Sequence, residues 1–301
     1  MTARKVALLV NPTSGRGRGG KNAPVAAARL RKRGLAVLEV MGGSGAESAE
    51  LAKAAVDEGV DALIACGGDG TVHLALQAVA GTDTPLGIIP VGTGDDNART
   101  IGLPMNDVAA AADVIADGRT RRIDCGLVEL EDGTKRWFMG VLSAGFDSEV
   151  TERANQMKWP HGQLRYVVAI LGELRIFKPV EYRMRIDDRE VDERAMLVAV
   201  GNGISYGGGM RVCPDAKLDD GQLDVTILGE VSKWTFVKAF PSVFKGTHTR
   251  NDFVSQYRGR VIELDGPGQL IYADGERVGP APAKIHVEPL ALKVFAHPHQ
   301  P

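Results

Sequence analysis

Three polar, glycine-rich turns, each directly after a short apolar run, constrain the fold of this chain more than any other sequence feature. The turns lie at 11–15 (Asn-Pro-Thr-Ser-Gly), 67–71 (Gly-Gly-Asp-Gly-Thr) and 90–97 (Pro-Val-Gly-Thr-Gly-Asp-Asp-Asn). The runs before them alternate with helical patterns, and this β-α-β rhythm predicts a doubly wound parallel sheet. Ligands of such sheets bind beyond the carboxyl ends of the strands. The sequence therefore predicts that all three turns lie at one ligand-binding edge.

The length of 301 residues allows two domains, and the sequence pattern changes near residue 125. In the first part we expect strands at 6–10, 35–40, 63–66 and 86–90, and helices at 26–33, 49–56, 72–79 and 108–115. In the second part we expect short strands at 136–141, 182–186, 196–200, 222–228, 261–264, 270–272 and 292–295, and helices at 163–177 and 233–243. The expected fold is an N-terminal doubly wound α/β domain, 1–125, followed by a C-terminal β-rich sandwich domain, 126–290. A C-terminal segment, 291–301, can return to the first domain.

Charge and apolar content exclude several classes of protein. Lys and Arg number 36 against 38 Asp and Glu, so the net charge of -2 gives no overall field that would attract nucleic acid. No apolar run approaches the roughly 18 residues of a membrane span. The cysteines are odd in number and widely spaced, which fits neither a disulfide framework nor a zinc site. We expect a cytoplasmic protein without a nucleic-acid partner, with inert thiols at Cys66, Cys125 and Cys213.

The chemistry of the turns points to an anion. In the turn at 67–71, glycines let the backbone approach a ligand, and the following helix offers N–H groups. Asp69 is unusual there, because a carboxylate repels phosphate unless a divalent cation bridges the two or the carboxylate accepts a proton from an attacking hydroxyl. The other turns offer the hydroxyls of Ser14 and Thr93, with basic residues behind the first. Ordinary structural turns are the alternative at each position.

The order and spacing of these motifs resemble the diacylglycerol kinase catalytic family, which includes bacterial lipid kinases and, more distantly, sphingosine and ceramide kinases. The resemblance spans nearly the whole chain, through 11–15, 67–71, 92–96 and the late Asp-Gly-Glu at 274–276. Stretches at 153–155, 158–162 and 205–209 make the resemblance to actinobacterial diacylglycerol kinases especially close. It implies the two-domain fold of lipid and NAD kinases. Two positions depart from it: Asp95 stands where the family usually has Asn, and Met41 falls about where many members have a nucleotide-contacting Thr.

The resemblance also implies the cofactors, ATP and Mg²⁺, with the nucleotide in a cleft between the two domains. Asp69 and Asp96 would organise the catalytic Mg²⁺. The residues expected to bind the nucleotide are Asn11, Pro12, Thr13, Ser14, Gly15, Gly67, Gly68, Asp69, Gly70, Thr71, Gly92, Thr93 and Asp96.

Two carboxylates late in the chain, Asp274 and Glu276, follow an apolar strand pattern and are candidates for a general base. Sequence alone favours an ordinary Asp-Gly hairpin turn at this place. The resemblance reverses that preference, because members of the family use this motif near the phosphoryl acceptor. It leaves the choice between Glu276 and Asp274 open.

Two further segments carry hypotheses about metal and membrane. The acid-rich stretch 214–224 is either a solvated turn or a site for a hard cation. The resemblance implies a structural Mg²⁺ there, held by the Asp220 carboxylate and the backbone carbonyls of Lys217 and Gln222. The stretch 153–178 mixes basic and aromatic residues, which suits either an anionic bilayer or a domain-packing helix with a basic outer face.

The sequence analysis therefore predicts an ATP-dependent lipid kinase that converts diacylglycerol to phosphatidate at the inner face of the membrane, to which it binds peripherally. A homodimer is the commonest assembly for such a protein. Three alternatives stay open: a kinase for another lipid hydroxyl such as a sphingoid base or ceramide, a cytosolic NAD kinase, and a nucleotide-binding regulatory module without turnover.

Overall fold

The computed structural model describes residues 4–157, 159, 168–170, 172–173 and 176–296. The chain divides into two compact units, the first formed by 1–125 together with 289–301 and the second by 126–288. The chain passes from one unit to the other inside two long strands, β5 (Thr120–Leu130) and β15 (Ala283–Phe295).

The first unit is a parallel sheet with helical connections. Its strands are β1 (Lys5–Val10), β2 (Ala36–Val40), β3 (Ala62–Gly67) and β4 (Leu86–Pro90), in the spatial order β4-β3-β1-β2. The end of β15 joins this sheet, where Val294 lies beside Leu86 in parallel. β3 and β4 are buried along their whole length, as expected for parallel strands covered by helices. The doubly wound fold predicted from the sequence is confirmed.

The helices of the first unit are α1 (Ser14–Lys32), α2 (Gly45–Asp57), α3 (Asp69–Val79), α4 (Asp96–Thr100) and α5 (Val108–Asp117). α1 packs against α5, and α2 packs against α3. Local sequence sets their ends: the Ser44 side chain accepts a hydrogen bond from the backbone N–H of Glu47, and Asp107 does the same for Ala110. α1 begins before the predicted 26–33, but its first residues are not regular helix, because residues 15–17 have positive φ angles.

The second unit is built mainly from antiparallel strands. These are β6 (Lys135–Phe138), β7 (Val141–Gly145), β8 (Val180–Ile186), β9 (Arg189–Gly201), β10 (Leu223–Gly229), β11 (Val254–Gly259), β12 (Val261–Asp265), β13 (Leu270–Ala273) and β14 (Glu276–Pro280). The order runs β14-β13-β7-β9-β8-β12-β15, while β10 and β11 extend from β9, and β6 pairs with β5. Buried residues of these strands form an apolar core, and the same unit contains further apolar clusters. This β-rich unit agrees with the sequence prediction.

Short helices complete the second unit: α6 (Phe146–Gln156), α7 (Lys233–Ala239), and 3₁₀ helices at Phe240–Lys245 and His248–Arg250. Most of the helix predicted at 163–177, and much of the stretch 153–178, lies outside the described residues. Among the residues that the structure describes, no helix has the length and apolar character needed to cross a membrane.

Candidate active site

The three glycine-rich turns contact one another in the first unit, at the carboxyl ends of β1, β3 and β4. The backbone N–H of Gly68 donates to the Ser14 Oγ at 3.3 Å, which joins the first turn to the second. Arg18 joins the first turn to the third, donating from Nε to the Gly15 carbonyl at 3.2 Å and from Nη2 to the Gly92 carbonyl. The second and third turns meet where the Asn97 N–H donates to Asp69 Oδ1 at 3.1 Å. The sequence motifs thus form one cluster.

Close backbone approach explains why glycine occupies two of these positions. A Cβ on Gly92 would lie 2.5 Å from the Cα of Gly68, and one on Gly15 would lie 2.0 Å from the Val91 carbonyl oxygen. Gly15 also has a φ of +57°, in the left-handed region that favours glycine. The cluster therefore presents backbone rather than side chains, which is the arrangement that phosphate-binding turns use.

The other residues singled out by the sequence analysis near this site differ in their hydrogen bonds and in their exposure to solvent. The Asn11 carboxamide oxygen accepts from the N–H of Thr13 at 3.1 Å and from its hydroxyl at 2.8 Å, so these two side chains close the first turn. Thr71 is buried, with its hydroxyl 3.5 Å from that of Ser14. Thr93 and Pro12 are exposed. Met41 is 61% exposed and lies after β2.

Negative charge is concentrated where the second and third turns meet. Burial, followed by the negative charge of Asp96, raises the pKa of Asp69 to about 7. Asp96 is itself buried and forms an ion pair with Arg99 at 2.8 Å. The positive end of the α3 dipole lies at Asp69 and favours a negative charge there. The cluster thus holds several carboxylates beside backbone donors, a combination suited to a cation and an anion bound together.

Asp95, which stands where the family that the sequence resembles usually has Asn, does not face solvent. It is 8% exposed, its φ of 53° lies in the left-handed region, and its Oδ1 accepts from the Gly92 N–H at 2.9 Å. Burial raises its pKa. The carboxylate therefore shapes the third turn, although its charge is poorly solvated.

Replacing Asp95 with asparagine is expected to stabilise the protein by about 0.5–1.5 kcal/mol, because asparagine keeps the acceptor oxygen, tolerates a positive φ and removes a desolvated charge. Thermal unfolding at pH 8 measures this gain. The control is Asp95→Ala, which loses the acceptor and should unfold at a lower temperature than the wild type. A lower melting temperature for Asp95→Asn would show instead that the charge itself stabilises the turn.

In the second unit, residues 274–276 form a tight hairpin turn between β13 and β14. Asp274 and Gly275 have φ angles of 52° and 81°. The buried Asp274 carboxylate accepts from the Gly140 N–H at 2.9 Å and from the Met139 N–H at 3.0 Å. Glu276 is exposed at the start of β14. The hairpin interpretation is therefore correct for the backbone, and the two carboxylates have different environments.

The acid-rich stretch 214–224 also lies in the second unit. The Asp220 carboxylate accepts from the Gln222 N–H at 3.2 Å and pairs with the Arg258 guanidinium, which also contacts Asp224 at 3.3 Å. Asp220 thus already pairs with a cation, and a bound Mg²⁺ would have to share its carboxylate with Arg258. The structural Mg²⁺ site at Lys217, Asp220 and Gln222 stays a prediction.

The N-terminal arginines and the cysteines have contacts or burial that indicate a structural role. Arg29 of α1 and Arg33, which directly follows α1, both pair with Asp113 of α5, each at 2.6 Å, which accounts for two basic residues in the N-terminal part of the chain. All three cysteines are buried and unpaired by disulfides. Burial raises the pKa of the Cys66 and Cys213 thiols to about 12, so both remain unreactive thiols at neutral pH.

An apolar pocket in the second unit was not anticipated from the sequence. Its cavity volume is about 80 Å³, and its walls include Phe146, Val150, Phe236 and Phe240. The rings of Phe146 and Phe236 are 5.1 Å apart, and those of Phe236 and Phe240 are 5.8 Å apart. Helical spacing in the sequence does not show whether these side chains line a pocket or fill the core. The pocket forms only where α6 and α7 pack together in the folded chain.

Comparison with known proteins identifies relatives over almost the entire chain. Residues 5–128 match the diacylglycerol kinase catalytic domain, and residues 140–296 match the YegS C-terminal NAD kinase beta sandwich-like domain. The chain is 45% identical to a diacylglycerol kinase of Mycobacterium tuberculosis, covering 98% of this chain and 96% of the relative. It is 27% identical to a diacylglycerol kinase of Bacillus subtilis, covering 98% and 95%.

Solved structures show the same fold at lower identity. A diacylglycerol kinase from Bacillus anthracis has a TM-score of 0.74 at 22% identity, covering 99% of this chain and 98% of that one. An NAD kinase from Archaeoglobus fulgidus in complex with ATP has a TM-score of 0.54 at 15% identity, covering 98% and 94%.

Proposed function

Because this chain belongs to the diacylglycerol kinase catalytic-domain family, we propose that it transfers the γ-phosphoryl group of ATP to the free hydroxyl of diacylglycerol, which gives phosphatidate. The observation that carries the proposal is the contact among the three glycine-rich turns, with Asp69 where they meet. A phosphotransferase needs this combination of backbone donors and carboxylates, because phosphoryl transfer depends mainly on positioning and charge neutralisation.

The turns at 11–15, 67–71 and 92–96 would hold the phosphates of the nucleotide. Their glycines keep side chains away, and the N-terminus of α3 favours negative charge. The Arg18 guanidinium bonds to carbonyls of the first and third turns, so it fixes their separation. This rigidity would orient the γ-phosphoryl group for transfer.

Asp69 and Asp96 are suited to hold Mg²⁺. They are negative groups close enough for the charge of Asp96 to raise the pKa of Asp69, and hard cations prefer carboxylate ligands. When bound, Mg²⁺ neutralises phosphate charge that the nearby carboxylates would otherwise repel. Arg99 already balances part of the charge on Asp96.

The acceptor class is supported by the apolar pocket in the second unit. Its aromatic and aliphatic walls suit an acyl chain far better than a sugar or a nucleotide. We assign the role of proton acceptor for the lipid hydroxyl to Glu276. Both oxygens of Asp274 already accept backbone hydrogen bonds, so Asp274 is a positioning residue that holds the hairpin on which Glu276 lies.

The test is transfer of labelled γ-phosphate from ATP with Mg²⁺ to diacylglycerol, sphingosine, ceramide, undecaprenol and NAD, each in mixed micelles. Label on diacylglycerol with the wild type, and its loss with Asp69→Ala, is the expected result. Label on another lipid would keep the mechanism and change the substrate. Label on NAD alone would identify a nucleotide kinase, and ATP binding without any product would identify a regulatory module.

A further inference from the structure

The segment 231–250 of the second unit carries apolar side chains on two faces. On the inner face, Phe236, Phe240 and Val243 line the apolar pocket. On the outer face, Trp234 is 77% exposed and Phe244 is 47% exposed. The inner face has its partners within the unit. On the outer face the Phe244 ring contacts Phe240 edge to face, with ring centres 5.9 Å apart, whereas the Trp234 side chain is mostly exposed and needs a separate explanation.

The outer residues recur at helical spacing along this segment. Trp234, Val237, Pro241 and Phe244 are all exposed and are separated by steps of three and four residues. Side chains at this spacing lie on one side of a helix, and the stripe runs from α7 into the 3₁₀ helix that follows. We call these four residues the outer stripe. Single exposed apolar residues are common on protein surfaces, whereas an aligned group that includes Trp and Phe indicates a binding surface.

The charge around the outer stripe is positive. The segment 231–250 contains Lys233, Lys238, Lys245 and Arg250 and no Asp or Glu, although the whole chain has a net charge of -2. Lys238 and Lys245 are exposed and directly follow the stripe residues Val237 and Phe244. Tryptophan and lysine together favour the interface of a bilayer, where the ring enters the headgroup region and the ammonium group binds anionic lipid.

We propose that the outer stripe docks this protein onto the surface of an anionic membrane, with Trp234 and Phe244 entering the headgroup region. A symmetric contact with a second copy fits less well, because a two-fold interface through this face would bring like-charged lysines together. An anionic bilayer satisfies both the apolar side chains and the lysines. The proposal rests on the proposed function in one respect: the docked surface is the membrane that supplies the lipid acceptor.

The experiment is co-sedimentation of the full chain with phosphatidylcholine vesicles, with and without phosphatidylglycerol, in the absence of nucleotide and diacylglycerol. We expect the wild type to bind the anionic vesicles and to release at high salt. Trp234→Ala/Phe244→Ala should bind about tenfold or more weakly, and Lys238→Glu/Lys245→Glu should lose a similar factor. Val25→Ala/Leu51→Ala, which removes two exposed apolar side chains from the first unit, is the matched control and should bind as the wild type does.

Each outcome decides for or against docking. Failure of the wild type to bind, or wild-type binding by either Trp234→Ala/Phe244→Ala or Lys238→Glu/Lys245→Glu, would overturn it. A wild-type dimer in velocity sedimentation that Trp234→Ala/Phe244→Ala converts to a monomer would also overturn it, in favour of a contact between copies. Activity on short-chain diacylglycerol in detergent separates the two proposals. If Trp234→Ala/Phe244→Ala and Lys238→Glu/Lys245→Glu keep full turnover in this assay, only docking was lost. If the wild type binds vesicles but phosphorylates no lipid, docking is supported and the proposed function fails.

Discussion

Replacing Asp69 with asparagine is expected to reduce phosphoryl transfer by on the order of 10³-fold or more, and at the same time to raise the melting temperature above pH 7. On the proposed assignment, catalysis falls because the variant would lack a charged ligand for Mg²⁺ where the second and third turns meet. Stability rises because burial and the charge of Asp96 make the ionised form of Asp69 unfavourable in the folded protein. Residues that function demands often reduce stability in this way.

The stability gain has a defined dependence on pH. The pKa of Asp69 is about 7 in the folded protein, against roughly 4 in the unfolded chain. Between these values the folded state binds more protons, so wild-type stability falls as pH rises, and the full penalty applies above pH 7. The melting temperature of Asp69→Asn should therefore exceed that of the wild type by an amount that grows from pH 4 to pH 7 and then levels off.

Asp113→Asn is the matched control in the same unit. The hydrogen bond from Arg29 lowers the pKa of Asp113, so the ionised form is favoured in the folded protein. The same chemical change should therefore lower the melting temperature at neutral pH and leave turnover close to that of the wild type. Calorimetry across the pH range, together with the phosphate-transfer assay, measures both variants. A stabilised Asp69→Asn with full activity would refute the assigned role.

The sequence was most informative where local rules decide structure. A buried strand followed by Gly67 and Gly68 predicts a tight turn before a helix, and the structure has β3, the turn and α3 in that order. The three turns come together because parallel strands share an edge, so their clustering could be predicted without knowing any contact. The Gly-rich spacing obscured the start of α1, where the consecutive residues 15–17 have positive φ angles and interrupt the helix.

Long-range packing decided what the sequence could not predict. The contact of Asp95 with Gly92 depends on a left-handed φ that no pattern specifies, so the sequence left the environment of the Asp95 carboxylate open. The apolar pocket depends on α6 and α7 meeting through Phe146 and Phe236, which are 90 positions apart in the chain. Likewise, the sequence does not show that Trp234 is exposed and Phe236 buried, because this depends on which face of α7 packs inward.

Exchanging the two carboxylates of the hairpin for amides, one at a time, is expected to have contrasting effects. Glu276→Gln should lower kcat by about 10²–10⁴-fold with a melting temperature close to that of the wild type, because it would remove the proposed proton acceptor, whose side chain is exposed. Asp274→Asn should lower the stability of the second unit by about 1–3 kcal/mol. Its amide nitrogen would replace one of two oxygens that accept from the Gly140 and Met139 N–H groups, and would leave a buried donor unpaired.

The measurements are kcat as a function of pH, the Kd for ATP and thermal unfolding, with the exposed Glu131→Gln as a control that should match the wild type in all three. Glu276→Gln should lose the acid limb of the pH profile and keep its affinity for ATP, since the hairpin belongs to the second unit and the turns to the first. If Asp274→Asn instead lost turnover at full stability while Glu276→Gln stayed active, the base would be Asp274. In that case the two backbone hydrogen bonds would serve to orient a reacting carboxylate rather than to hold a structural one.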